Sequence, residues 1–233
     1  MLLLVCCSAT SLFAQTADEI ISKHIAALGG AENWRKINSV IQVGSMSVQG
    51  ADIEVTMTGV HKVGTRQDIS LMGMTGYQIV TPTEGWSFMP FQGQATPEAI
   101  TADDLKDSQD GLDLHGPLLD YAQKGHTVEF LGKDDVDGTE AFKLKVTLKG
   151  GKVQTHYLDT KTYFIIKSLE TRNANGQEME IATTYSNYTK LPEGVCMPMS
   201  VSVPLGPGMV AEMTISKIEI NKPVDPSVFK PAK

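Results

Sequence analysis

From Ile37 onward, apolar and polar residues alternate in short runs. Ile53, Val55 and Met57 alternate with Glu54, Thr56 and Thr58. Phe142, Leu144, Val146 and Leu148 alternate with Lys143, Lys145, Thr147 and Lys149. A longer run, Val195, Met197, Met199, Val201, Val203 and Leu205, alternates with Cys196, Pro198, Ser200, Ser202 and Pro204. Successive side chains of a strand point to opposite faces, so each run predicts a strand with one buried and one wet face. That is the pattern of antiparallel sheet. The two prolines on the polar side of the last run predict an edge strand or an irregular one, because proline supplies no ladder N–H. Asp137-Gly138, Gly150-Gly151, Asn175-Gly176 and Glu193-Gly194 fall between alternating runs, where hairpin turns belong. The expectation is a meander of roughly ten strands with no parallel crossover.

Two segments have a different period. Thr16 with Glu19 forms a capping box, and Ile20, Ile21, His24, Ile25 and Leu28 share one face at helical spacing before Gly29-Gly30 stops the helix. Further on, Thr96-Pro97-Glu98 reads as a helix start, and Thr101 with Asp104 offers a second cap. His115-Gly116-Pro117 restarts a short helix through Leu118, Leu119 and Tyr121 to Gly125. The fold class is therefore mainly β with covering helices, and the insertion from about Pro97 to Lys124 should lie over one face of the sheet. No linker or repeat divides residues 16–233, which read as one domain.

The first fifteen residues, MLLLVCCSATSLFAQ, carry no charge. They predict the apolar part of a signal peptide, residues 1–15, cleaved near Ala14, and hence export. The stretch falls short of the ~20 residues that span a bilayer. Cleavage would leave Cys196 as a lone thiol on a strand, so the fold must rest on core burial without an internal disulfide.

Composition narrows the function. With 20 Lys and Arg against 27 Asp and Glu the net charge is −7, and no basic run is present. This argues against nucleic acid, whose binding depends on neutralising phosphates, and against docking to an anionic leaflet. The five histidines are scattered without partners at metal-ligand spacing. The acidic run Asp103, Asp104, Asp107, Asp110 and Asp113 lacks the glycine and glutamate of a calcium loop, with Ser108 and Leu114 in those places. No serine elbow or phosphate loop is present. The sequence predicts neither enzyme, cofactor nor metal. Methionine stands out: eleven in the chain against seven Phe and two Trp. Met57, Met197 and Met199 fall on apolar sides of their runs, and Met72, Met74 and Met89 lie near Trp86, Phe88 and Phe91. Such polarisable side chains either fill an irregular core or line a surface for apolar partners of variable shape. These nine residues are the candidate ligand-binding set.

Several segments also resemble a known family. Ala17-Asp18-Glu19-Ile20-Ile21, His24 to Gly30 with Ser39-Val40, Gly85-Trp86-Ser87-Phe88, and Leu131-Gly132-Lys133 with Ala141-Phe142-Lys143-Leu144 are similar to bacterial lipoprotein-carrier proteins, the LolA and LolB superfamily. So are Tyr157-Leu158-Asp159-Thr160-Lys161-Thr162-Tyr163 and the closing Pro223 to Phe229. The resemblance implies a curved antiparallel sheet, an incomplete barrel, with helices over its concave face and apolar space between. It also implies a monomeric, non-catalytic periplasmic carrier of lipoprotein acyl chains or another apolar ligand in a Gram-negative bacterium, with a possible envelope membrane protein as partner. The alternative within that fold is an envelope sensor or scaffold that binds a protein in the same cleft. The family's early-strand arginine has no close counterpart here. Arg66 is nearest in type.

Overall fold

The computed structural model describes residues 16–232, apart from 49, 175, 176, 207 and 208. The first fifteen residues and the Asn175-Gly176 turn therefore lie outside the described residues. Helix α1 (Ala17–Ala27) carries the expected capping box between Thr16 and Glu19 and buries Ile20, Ile21 and His24. Helix α2 (Ala31–Arg35) follows at once and buries Trp34, whose indole donates to the Leu28 carbonyl.

The remainder is one sheet. Among the described residues, thirteen antiparallel strands run in sequence: β1 (Ser39–Val48), β2 (Ala51–Val60), β3 (Gly64–Leu71), β4 (Met74–Val80), β5 (Gly85–Phe88), β6 (Glu98–Ala99), β7 (Thr127–Val136), β8 (Thr139–Thr147), β9 (Val153–Asp159), β10 (Ile165–Ala174), β11 (Gln177–Lys190), β12 (Cys196–Gly206) and β13 (Met209–Ile220). Their spatial order is β6-β5-β4-β3-β2-β1-β13-β12-β11-β10-β9-β8-β7. Consecutive strands pair as hairpins, Asp137-Gly138 joining β7 to β8 as the sequence predicts. The exceptions are the β1–β13 pair, which brings the two ends of the meander together mid-sheet, and the step from β6 to β7. Those two strands are the sheet's opposite edges, so the sheet is open, an incomplete barrel. The chain between them, residues 100–126, must cross the sheet to reach the far edge. Connectivity alone makes it the covering layer.

That layer is less helical than expected. Pro97 does not start a helix, because Glu98 and Ala99 pair with Ser87 and Trp86 as strand β6. Helix α3 (Ala102–Ser108) starts instead at the second predicted cap, where Thr101 accepts from the Asp104 N–H. A 3-10 turn follows at Gln109–Leu112. His115 to Gly125 forms a succession of turns rather than a helix, with Gly116 and Gly125 at positive φ. Of the two alternatives the prolines left open for β12, the structure takes the irregular one: the strand lies inside the sheet between β11 and β13 rather than at an edge. The irregularity is local, a register shift between Pro204 and Gly206.

Buried apolar residues gather on both faces. On the inner face, α1 packs on β8 and β9 through Ile20, Ile21, Phe142, Leu144, Val146 and Leu158, joined by Leu118 of the covering segment. Trp34, Ile37, Val40, Leu119, Val195 and Ile220 continue that layer. On the outer face of β3 to β5, Tyr77 and Ile79 pack against Phe229, with Trp86, Phe88 and Val228 around them. Arg66 holds this C-terminal segment down. Its guanidinium pairs with Asp68 at 2.7 Å, donates to the Val228 carbonyl at 3.0 Å and stacks over the Tyr77 ring at 4.5 Å.

Candidate ligand-binding cleft

Residues directly opposite on paired strands share a face, so the registers divide the inner face of β1 to β5 into transverse rows. The first row is Ile220, Val40, Gly59, Thr65, Val80 and Gly85. Its two glycines receive the covering segment. A Cβ on Gly59 would lie 2.9 Å from a methyl of Leu114, and one on Gly85 would lie 2.4 Å from a methyl of Ile100. The next row is Ile218, Gln42, Met57, Gln67, Gln78 and Ser87. Beyond it the face becomes apolar, with Ile215, Gly44, Val55, Ile69 and Gly76, then Met213, Met46, Ile53, Leu71 and Met74.

Between this face and the covering segment lie two adjoining cavities. The larger, about 900 Å³, is bounded by polar groups of both layers, among them Lys62, Gln67, Gln78, Asp110, Asp113, Lys124, Lys152 and Glu170. The smaller, about 250 Å³, is lined by apolar Val40, Met57, Val80, Leu114 and Met197 and by polar Gln42, Thr58, Thr65, Arg66, Gln67 and Gln78, with Gly59 and Gly111. Thr65, Gln67, Gln78, Val80 and Gly111 line both, so the two share a wall. Leu114 also borders a third space, about 240 Å³, under α1, where His24, Trp34, Ile165 and Tyr188 form the walls. Two lysines of the larger cavity are matched by carboxylates: Lys124 with Asp113 at 2.5 Å, and Lys152 with Asp110 at 3.5 Å and Glu170 at 3.4 Å.

The covering segment is tied to the β2–β3 turn by a cluster invisible to sequence spacing. His61 and His115 stack with ring centroids 4.0 Å apart, and Asp113 approaches the His61 ring nitrogen at 3.6 Å. The His115 Nε2–H donates to the Ile37 carbonyl at 2.9 Å. Burial, and then the neighbouring His115, hold the His61 imidazole below its ordinary pKa. The sequence treats these histidines as scattered. The fold brings two of them and Asp113 together across more than 50 residues of chain, which only the crossing of residues 100–126 over the sheet could reveal.

The nine residues singled out by sequence separate into groups. Met57 and Met197 line the smaller cavity, Met57 remaining 39% exposed. Met89 and Phe91 lie over Gly76 on the inner face, where a Cβ would meet the Met89 sulfur at 3.0 Å and the Phe91 ring at 2.9 Å. Met74 is on the inner face but at its open end, 41% exposed. Met72 is in the β3–β4 turn at positive φ, 81% exposed, and lines no described cavity. Met199 is half-buried on β12 and also lines none of the described cavities. Trp86 and Phe88 require a correction. They pair with Ile79 and Tyr77 on the outer face and pack under the C-terminal segment, because Gly85 and Ser87 take the inward positions of β5. The sequence located the aromatic strand but not its facing. It also passed over Gln42, Gln67 and Gln78, whose inward position follows from alternation with apolar neighbours once the register is known.

No protein-family model matches the chain, and no curated protein matches it. Solved structures do. A DUF1329 family protein from Desulfovibrio piger superposes with a TM-score of 0.60 at 11% identity, over 93% of this chain and 98% of that one. A LolA superfamily protein from Nitrosomonas europaea gives 0.59 at 13% identity, over 93% and 98%. The fold is that of the LolA superfamily. A Vibrio parahaemolyticus domain named for outer-membrane lipoprotein sorting gives a TM-score of 0.54 at 14% identity, over 91% and 95%. In this chain Arg66 anchors the segment around Val228, with its guanidinium on Asp68, Val228 and Tyr77. Among the described residues, no helix is long and apolar enough to cross a membrane.

Proposed function

We propose that this protein is a non-catalytic carrier or binding protein for an acylated amphiphile, exported to the periplasm. The observation that carries this reading is the pairing of a cavity of about 900 Å³ rich in charged groups with a more apolar one of about 250 Å³ through a shared wall on the inner face. A polar head suits the first and an acyl chain the second, with the open rows from Val55 to Met74 beyond. The larger volume lies in the usual range of small-molecule sites, roughly 300–1,000 Å³. Each methylene removed from water would contribute about 0.8 kcal/mol. The fold shared with a domain named for lipoprotein sorting supports the reading. A wholly apolar ligand fits less well, since it would strip water from the charged groups of the larger cavity without replacing their hydrogen bonds.

Native mass spectrometry of the protein isolated from its own envelope, together with titration of a fluorescent fatty-acid analogue, tests this. Co-purifying lipid and saturable one-to-one uptake are expected. A folded protein that carries no lipid and takes up no probe would overturn the carrier reading and leave a protein-binding scaffold in its place.

A further inference from the structure

We infer that the ligand is recognised by its acyl carbonyl, an ester or amide, held over the row of side-chain amides Gln42, Gln67 and Gln78. This rests on the amphiphile reading above and names the group that the cleft selects. Gln42 and Gln67 flank Met57, and Gln67 is directly opposite Gln78. Directly opposite side chains have Cβ atoms about 4.5–5.5 Å apart, so Gln67 and Gln78 can act on one group. All three line the smaller cavity, and Gln67 and Gln78 line the larger as well. Among the described residues, none of the three side-chain amides hydrogen-bonds to another protein group, while all are half-buried.

Their position gives them a ligand-facing role. On one side the row meets the cavity of lysines and carboxylates, and on the other the rows of Val55, Ile69, Ile53, Leu71 and Met213. An acylated amphiphile has the same order: polar head, carbonyl, hydrocarbon. A side-chain amide offers two N–H donors and no charge. It therefore answers the carbonyl oxygen of a neutral ester or amide without leaving a buried ion when the hydrocarbon moves along the face. A bare hydrocarbon would leave these N–H groups unpaired on desolvation, and an ether oxygen is a weaker acceptor than a carbonyl, so both lose affinity relative to an ester or amide.

The test compares three ligands of equal chain length, below their critical micelle concentrations, as competitors of the fluorescent fatty-acid analogue on the full mature chain. They are monododecanoylglycerol (an ester), 1-O-dodecylglycerol (the matched ether) and N-dodecanoylethanolamine (an amide). The ester should compete about 10-fold better than the ether, the effect of one or two amide hydrogen bonds. In Gln67→Met/Gln78→Met that ratio should fall to near one while the ether keeps its affinity. Gln67→Glu/Gln78→Glu keeps polarity but loses the donors, and should also lose the preference. An amide stronger than the ester would point to an acylated amine or polypeptide, and the reverse to a glycerolipid. Ester and ether competing equally in the wild type, or a preference that survives both double variants, would overturn the inference. If none of the three competes and the probe itself fails to bind, the amphiphile reading falls instead.

Discussion

Gly59→Ala should destabilise the protein, and Leu114→Ala should abolish that effect. The covering segment seats on β2 through Leu114. A Cβ at position 59 would stand 2.9 Å from a methyl of Leu114, inside ordinary contact distance. Alone, alanine in a strand is favoured over glycine by roughly 0.5–1 kcal/mol, because glycine loses more freedom on folding. Overpacking of a fitted contact costs about 1–3 kcal/mol. The atom struck is the end of a flexible side chain, so the low end of about 1 kcal/mol applies, and the net loss should be up to about 0.5 kcal/mol. Leu114→Ala alone should cost about 1–2 kcal/mol, below the range for fully buried leucines because Leu114 is half-buried. With Leu114 truncated, Gly59→Ala should be neutral or stabilising, giving a coupling energy of about 1 kcal/mol or more. Urea denaturation followed by circular dichroism across the four proteins measures this. Additive effects within about 0.3 kcal/mol would show that the segment does not rest on β2, and with it the cleft as drawn would be lost.

Two further outcomes follow from facing and burial. Phe88→Ala should cost about 2 kcal/mol in urea yet leave the folded protein's affinity for the fatty-acid probe within twofold, whereas Met57→Asp should weaken the probe at least 10-fold with little loss of stability. Equal effects of the two on binding would mean that the faces of the sheet have been confused. Burial, partly offset by the bond to the Tyr163 carbonyl, lowers His24 to about 4, and burial with the neighbouring His24 lowers His156 to about 4. In the unfolded chain both titrate near 6.5, so the unfolded state takes up protons first as pH falls. Stability should be full above about pH 6.5 and fall toward pH 4, by up to about 3 kcal/mol for each histidine. A urea midpoint that stays flat from pH 7 to pH 5 would contradict this, and His156→Gln should remove much of the slope.

The sequence by itself determined the antiparallel sheet, the first helix and the hairpin turns, because these are local. Alternation along Phe142 to Leu148 is readable wherever the strand ends up, and Thr16 caps its helix with a residue three positions away. It also located the crossing segment, while misjudging its start at Pro97 and its helicity after His115, where pairing of β6 with β5 and the length of chain needed to cross the sheet overrode local preference. The tertiary structure alone decided which face is inner. A period of two states that Trp86 and Phe88 share a side and that Gly85 and Ser87 share the other, but not which side the covering segment occupies. That was settled by connectivity, since the segment reaches β7 only by crossing the face on which Gly59 and Gly85 leave room for Leu114 and Ile100. The same register aligned Gln42, Gln67 and Gln78, residues on three strands that no spacing along the chain connects.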